Sequence, residues 1–268
     1  MSSALQNIIQ HERIEHVYQP LWNLNNWSIF GFESLLRFPE EYSCRNIEEA
    51  FEQARTEGLL YELDTLSISH AVSNFPLDLS GEELLFINVF PSTLLHEDLE
   101  IFIEQLVTKY PTIIGNIVFE LNETKHEKHI WKIPHLKKRI AFLKEKGFFV
   151  ALDDFGKEES TFQKIIEFTP NCIKLDRYFS KDLSSSKKKQ RVVSLLVEYS
   201  KGRMVVVLEG LEKEMDLAMA KILKVPVAQG YLLGKPQKLT ENSFTNDLFN
   251  SLRKHGRTYK SLINFSER

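Results

Sequence analysis

The amino-acid sequence predicts an α/β fold: a modified (β/α)8 TIM-like barrel with an antiparallel first strand. Three observations point there. Short, nearly continuous apolar runs recur along the chain, longer amphipathic stretches separate them, and two strand-like runs near the start flank a short Asn-rich turn.

The early pair comes first. Residues 16–22 (HVYQPLW) and 27–34 (WSIFGFES) flank Asn23 to Asn26 and read as an antiparallel hairpin. The later runs are 84–89 (LLFINV), 116–121 (NIVFEL), 148–153 (FFVALD), 172–175 (CIKL) and 204–209 (MVVVLE). They are rich in Val, Ile and Phe and contain no proline, as expected of strands covered on both faces in a parallel sheet. Residues 225–228 are also strand-like. Stretches 97–109, 132–146, 161–168, 188–200 and 213–223 place apolar residues at helical spacing. Turn and stop signals lie at 78–83 and at Lys146-Gly147. The Ser-Lys run 184–189 reads as a loop leading into a helix. The chain divides into a barrel over 1–240 and a C-terminal helical tail over 241–268, with Phe244, Leu248, Leu252, Tyr259 and Leu262 on one apolar stripe. The tail is expected to pack on the barrel; a truncated linker or dimer arm is the alternative.

Composition narrows the function. Of the 268 residues, 43% are hydrophobic, enough for a sizeable core. The net charge of −3, with both signs mixed, gives duplex nucleic acid no electrostatic footing. An anionic substrate would need local positive charge from metal ions or a few placed Arg and Lys residues. No apolar run approaches a membrane span, and the first residues lack a signal-peptide core. A soluble, cytoplasmic chain is expected. Cys44 and Cys172 form no CxxC pair, so neither a structural zinc site nor a disulfide framework is expected.

The chemistry shows in where polar residues fall. Asn88, Glu120, the Asp153-Asp154 pair, Lys174 with Asp176, Glu209 and Gln229 all stand at or just past the carboxyl ends of apolar runs. In a barrel these ends form one rim, where active sites lie. A single strand-end carboxylate is ordinarily a solvated loop start; five strands behaving alike are not. Glu, Asp and Asn oxygens suit hard cations such as magnesium or manganese, and the scarcity of Cys and strand-end His argues against zinc. His126, His129 and His135 lie in a Lys-rich segment and read as surface, and Trp22, Trp27 and Trp131 as packing residues.

These residues resemble an EAL domain, the cyclic di-GMP phosphodiesterase family. The name motif is matched by Glu33-Ser34-Leu35-Leu36-Arg37, with Ser34 in place of Ala. Gln19-Pro20, Ile87-Asn88-Val89, Glu120-Leu121-Asn122-Glu123, Asp153-Asp154-Phe155-Gly156, Lys174-Leu175-Asp176, Glu209-Gly210-Leu211-Glu212 and Gln229-Gly230-Tyr231 with Gly234-Lys235-Pro236 follow in the family's order. The resemblance implies two-metal hydrolysis of cyclic di-GMP to linear pGpG with magnesium or manganese, inhibited by calcium, by a homodimer. It implies Glu33, Asn88, Glu120 and Asp153 as ligands of one metal and Asp153 with Asp154 of the second, positioned with Glu209. Glu33, Lys174, Glu209 and Asp154 would serve catalysis, with Lys174 orienting water or offsetting charge. Gln19, Leu35, Arg37, Asp176 and Gln229 would meet the substrate, and Glu123 would brace the loop after Asp153-Asp154.

Two departures stand out. That loop reads Lys157-Glu158-Glu159-Ser160-Thr161-Phe162, where the family has a Thr-Gly pair, an aromatic residue and two serines. Glu158 thus replaces a permissive glycine and adds charge. The family's Ala-Glu is here Ala54-Arg55, read as a surface change. The altered loop supports an alternative: a weakly active cyclic di-GMP sensor working through a partner. A non-binding scaffold would have lost its charged rim residues, which are present.

Overall fold

The structure is a computed structural model that describes residues 3–42, 46–75, 83–122, 125–156 and 162–239. The tail, the loop 157–161, Cys44 and Glu123 lie outside the described residues.

Eight strands close into a barrel in chain order: β1 (Glu15–Asn23), β2 (Ser28–Arg37), β3 (Leu84–Val89), β4 (Ile117–Leu121), β5 (Phe149–Phe155), β6 (Cys172–Leu175), β7 (Val205–Leu208) and β8 (Val227–Ala228). β1 runs antiparallel to both β2 and β8, and every other neighbouring pair is parallel. The expected barrel with its inverted first strand is present.

The helices are α1 (Ala4–Gln10), α2 (Ile47–Glu57), α3 (Leu60–Asn74), α4 (Pro91–Leu94), α5 (Leu99–Lys109), α6 (Pro134–Glu145), α7 (Phe162–Phe168), α8 (Arg177–Ser180), α9 (Lys187–Ser200) and α10 (Glu214–Ile222). Local chemistry sets their ends. Asn46 caps α2 by accepting from the Glu49 amide at 2.8 Å, and Gly58 ends it in the left-handed conformation. Ser186 caps α9, so the Ser-Lys run does lead into a helix.

The core has two layers. Leu21, Phe30, Leu84, Phe86, Val118, Phe149, Ala151, Cys172, Val205, Val207 and Val227 fill the inside of the barrel. Alternate residues such as Phe32, Leu85, Phe119 and Ile173 face outward and pack with the helices. Trp22 and Trp131 are buried in this outer layer and Trp27 packs against it, as packing residues should.

Candidate active site at the barrel mouth

The strand period of two builds the site. Step two residues past an inward apolar side chain and a polar one arrives: Phe86 to Asn88, Val118 to Glu120, Ala151 to Asp153, Cys172 to Lys174, Val207 to Glu209, Val227 to Gln229. β1 runs the other way, so the step there is backwards, from Leu21 to Gln19, which pairs with Glu33. In β2 a register shift opposite Leu21 and Trp22 puts Gly31 across from Leu21. Gly31, Glu33, Leu35 and Arg37 therefore share the inner face. Gly31 has no alternative there: a Cβ would lie 2.4 Å from the Leu84 carbonyl oxygen and 3.0 Å from the Phe86 ring.

Lys174 is the centre of this polar layer. Its side chain is fully buried, and its Nζ lies 2.7 Å from Glu120 Oε1, 2.9 Å from Glu209 Oε1, 3.3 Å from Glu33 Oε2 and 3.4 Å from Asp153 Oδ1. Gln229 Nε2 donates to Glu33 Oε2 at 2.7 Å and to Gln19 Oε1 at 3.1 Å. Gln19 in turn donates to the Gly234 carbonyl at 2.9 Å, and Asn88 Nδ2 reaches Glu33 Oε1 at 3.5 Å.

Burial and crowding oppose each other across the cluster. Burial pushes the Lys174 pKa down, but the carboxylates of Asp153, Glu120, Glu209 and Glu33 outweigh it and hold the ammonium charged. Burial would raise Glu33, yet Lys174 and hydrogen bonds from Gln229, Lys174 and Asn88 keep it below its ordinary value. Burial wins at Glu120 and at Asp153, which are raised with help from the neighbouring carboxylates. Glu209 is pushed up to about 8, by burial first and then by Asp153 and Glu33, against Lys174.

Four carboxylates thus face one ammonium, and full ionisation would leave three negative charges uncompensated. Among the described residues no three His, Cys, Asp or Glu side chains form a ready-made metal cage; the acids turn toward Lys174. The donor set nonetheless fits a hard divalent cation. Its atoms are carboxylate and amide oxygens; Glu120 Oε2 is buried with no hydrogen-bond partner among the described residues, and Glu120 Oε1 and Asp153 Oδ1 face the Lys174 ammonium. Asp154 follows at an irregularity of β5 with φ +52, a conformation that Asp tolerates better than most residues and that re-aims the chain.

The remaining expected residues lie beside this cluster. Arg37 is half-buried and its Nη1 donates to the Leu36 carbonyl at 2.7 Å. Leu35 is half-buried on the Glu33 face. Asp176 caps α8, accepting from the Tyr178 amide at 2.7 Å. His126, His129 and His135 are exposed.

Arg55 corrects the sequence reading. It is not a free surface substitution: its Nη2 lies 2.6 Å from Oε1 of the fully buried Glu127. Sequence reasoning also passed over Glu127, Asp64 and Ser92. Glu127 sits among Lys and His and reads as solvated, and Asp64 breaks the apolar period of α3. Asp64 Oδ2 accepts from the Phe90 amide at 2.9 Å, just after the Asn88 strand.

Comparison with known proteins identifies the family. The EAL domain profile matches residues 2–236. PdeF of Escherichia coli strain K12, named a cyclic di-GMP phosphodiesterase, is 23% identical over 245 residues, taking in 90% of this chain and 32% of PdeF. PdeI of the same strain, named a probable cyclic di-GMP phosphodiesterase, is 29% identical over 228 residues, 82% of this chain and 28% of PdeI. The chain therefore spans about a third of the length of these curated relatives, 32% and 28%. The manganese/cyclic di-GMP complex of BlrP1 from Klebsiella pneumoniae superposes with a TM-score of 0.74 at 24% identity, over 84% of this chain and 56% of that one. At this identity the likeness is one of fold. The profile match takes in all eight strands and every residue of the polar layer, and the chain belongs to the EAL domain family.

Proposed function

We propose that this chain hydrolyses one phosphodiester bond of cyclic di-GMP, giving linear pGpG, with magnesium or manganese bound at the barrel mouth. The surplus of carboxylates around Lys174 carries the reading, because such a cluster calls for added positive charge beside a phosphate. The names of the curated relatives support the substrate.

Glu33, Asn88, Glu120 and Asp153 would hold one cation and Asp153 with Asp154 the second. Bound there, the pair would supply Lewis acidity, easing deprotonation of water and offsetting charge on the phosphate. The chain's own groups do the rest. The Lys174 ammonium, locked by its carboxylates, orients the attacking water and offsets negative charge that develops in the transition state. Glu209, whose Oε1 lies 2.9 Å from Lys174 Nζ, would help position the second cation. Gln229 fixes the Glu33 carboxylate through its 2.7 Å bond and is itself held by Gln19. Arg37 lies on the same face as Glu33, and its planar donors suit a phosphate. Leu35 supplies apolar contact between them, and Asp176 lies two residues past Lys174 to meet the nucleotide. Calcium, with looser ligand geometry, would bind and inhibit. Glu123, outside the described residues, would brace the neighbouring loop. A cytosolic location and a homodimer belong to the same proposal; sedimentation tests the latter.

The test is chromatography of products from cyclic di-GMP with manganese, then with calcium. Glu33→Ala and Asp153→Ala should each lower pGpG formation by at least about 100-fold while keeping the parent circular dichroism spectrum. Near-normal turnover by either variant rejects the assignment. Tight binding without pGpG under either metal would favour the sensor instead.

A further inference from the structure

We propose that Glu127 is a positioning residue: its carboxylate ties the segment after Glu120 to the segment after Asn88 and so holds two proposed metal ligands in register. The inference rests on the function proposed above. Glu127 is fully buried, which is unusual for an acid in a Lys- and His-rich segment. Its Oε2 accepts from the Ser92 amide at 2.7 Å, and its Oε1 accepts from Ser92 Oγ at 2.8 Å. Arg55 Nη2 faces the same Oε1 at 2.6 Å.

These contacts join parts of the chain that matter to the site. Asn88 and Glu120 are register partners in neighbouring strands. Among the described residues the last backbone hydrogen bond between those strands runs from the Asn122 amide to the Val89 carbonyl, at 3.4 Å. Ser92 lies four residues past Asn88 and Glu127 seven past Glu120. One carboxylate therefore ties the two segments together beyond Asn88 and Glu120. Asp64 holds the Phe90 amide on the same segment, and the Arg55 guanidinium lies 5.6 Å from the Phe90 ring centre.

Arg55 gains a reason from this arrangement. Leaving a buried carboxylate without a cation is strongly unfavourable, and glutamate at position 55 would set like charge against Glu127. Arg55 and the buried Glu127 pair in this structure, with α2 providing the cation.

The experiment compares the parent chain with Glu127→Gln, which keeps the shape, and Arg55→Ala, which keeps Glu127 on Ser92. Hydrogen–deuterium exchange of peptides covering 88–95 and 117–128 is read in chelator, manganese affinity by calorimetry, and cyclic di-GMP turnover as kcat and KM separately. Glu127→Gln should exchange faster in both peptides and bind manganese about 10–100-fold more weakly. It should lose kcat with little change in KM, and Arg55→Ala should show the same changes in smaller measure. Parental exchange and manganese affinity in Glu127→Gln would overturn the positioning role while leaving the proposed function standing. A parent chain that binds no manganese would instead sink the proposed function, and this role with it.

Discussion

Asp64 is buried on α3, where it accepts from the Phe90 amide at 2.9 Å. Burial lifts its pKa from 3.8 to about 7; hydrogen bonds from Thr93 and Phe90 pull it back, the Glu127 charge adds to the rise and Arg55 opposes it. The folded chain thus keeps a proton that the unfolded chain releases above its own pKa of 3.8. Where the folded state binds more protons, stability falls as pH rises. The Asp64 contribution is whole below about 4 and is lost progressively as pH climbs through about 7. Between pH 5 and 8 the loss is on the order of 2–3 kcal/mol. Asp64→Asn keeps an oxygen for the Phe90 amide and cannot ionise. Urea unfolding at both pH values should show the variant losing less stability than the parent over that interval. Equal losses would show that Asp64 does not titrate in this window.

Among the elements, β2 bears a close steric constraint. Gly31 lets β2 approach β3 closely, and a methyl group there would meet the Leu84 carbonyl oxygen at 2.4 Å. Gly31→Ala must push the strands apart, which costs about 1–3 kcal/mol. For a domain of this size that lowers Tm by roughly 2–12 °C. It should also reduce activity, since Glu33 lies two residues on along the same strand. An unchanged melting curve would refute the crowding. The elements legible in the sequence were those with one clear period. The hairpin of β1 and β2, flanking its Asn-rich turn, and the parallel strands β3 to β7, mostly apolar on both faces, fall within a few residues of their expected positions. α2 and α3 went unassigned. α2 buries only Ala50 and Ala54, and α3 buries Asp64, Thr65 and Ser67, so neither carries a clean apolar stripe. The barrel-closing β8, Val227–Ala228, falls within the strand-like run 225–228, although two residues are too short to carry a period. The site was legible as a set of strand ends, since position in a strand fixes the face. That four acids would meet at Lys174 Nζ was not, because how far side chains reach toward one another depends on closure of all eight strands. The same limit hid Arg55 and Glu127, which lie 72 positions apart.

At the scale of the whole molecule, closure concentrates negative charge at one mouth while the net charge of the chain stays near neutral, at −3. Under the proposed function, the cluster is arranged for a cation rather than for its own stability. Asp153 makes the point: burial, Glu33 and Asp154 all raise its pKa against the pull of Lys174. Its charge is a burden on the fold by itself, and under the proposed function an asset beside a cation. A ligand that binds only the folded state stabilises it by about 2.7 kcal/mol at 100 times its Kd. For the parent chain in manganese that amounts to a rise in Tm of roughly 5–11 °C, reversed by chelator. Asp153→Asn keeps the volume and removes one charge. In chelator at pH 8 it should melt no lower than the parent, and manganese should leave its Tm unchanged. Differential scanning calorimetry of both chains, with manganese and with chelator, decides the matter. A full manganese shift in the variant would remove Asp153 from the ligand set. A variant several degrees less stable in chelator would mean that the carboxylate supports the fold through Lys174 more than it repels its neighbours.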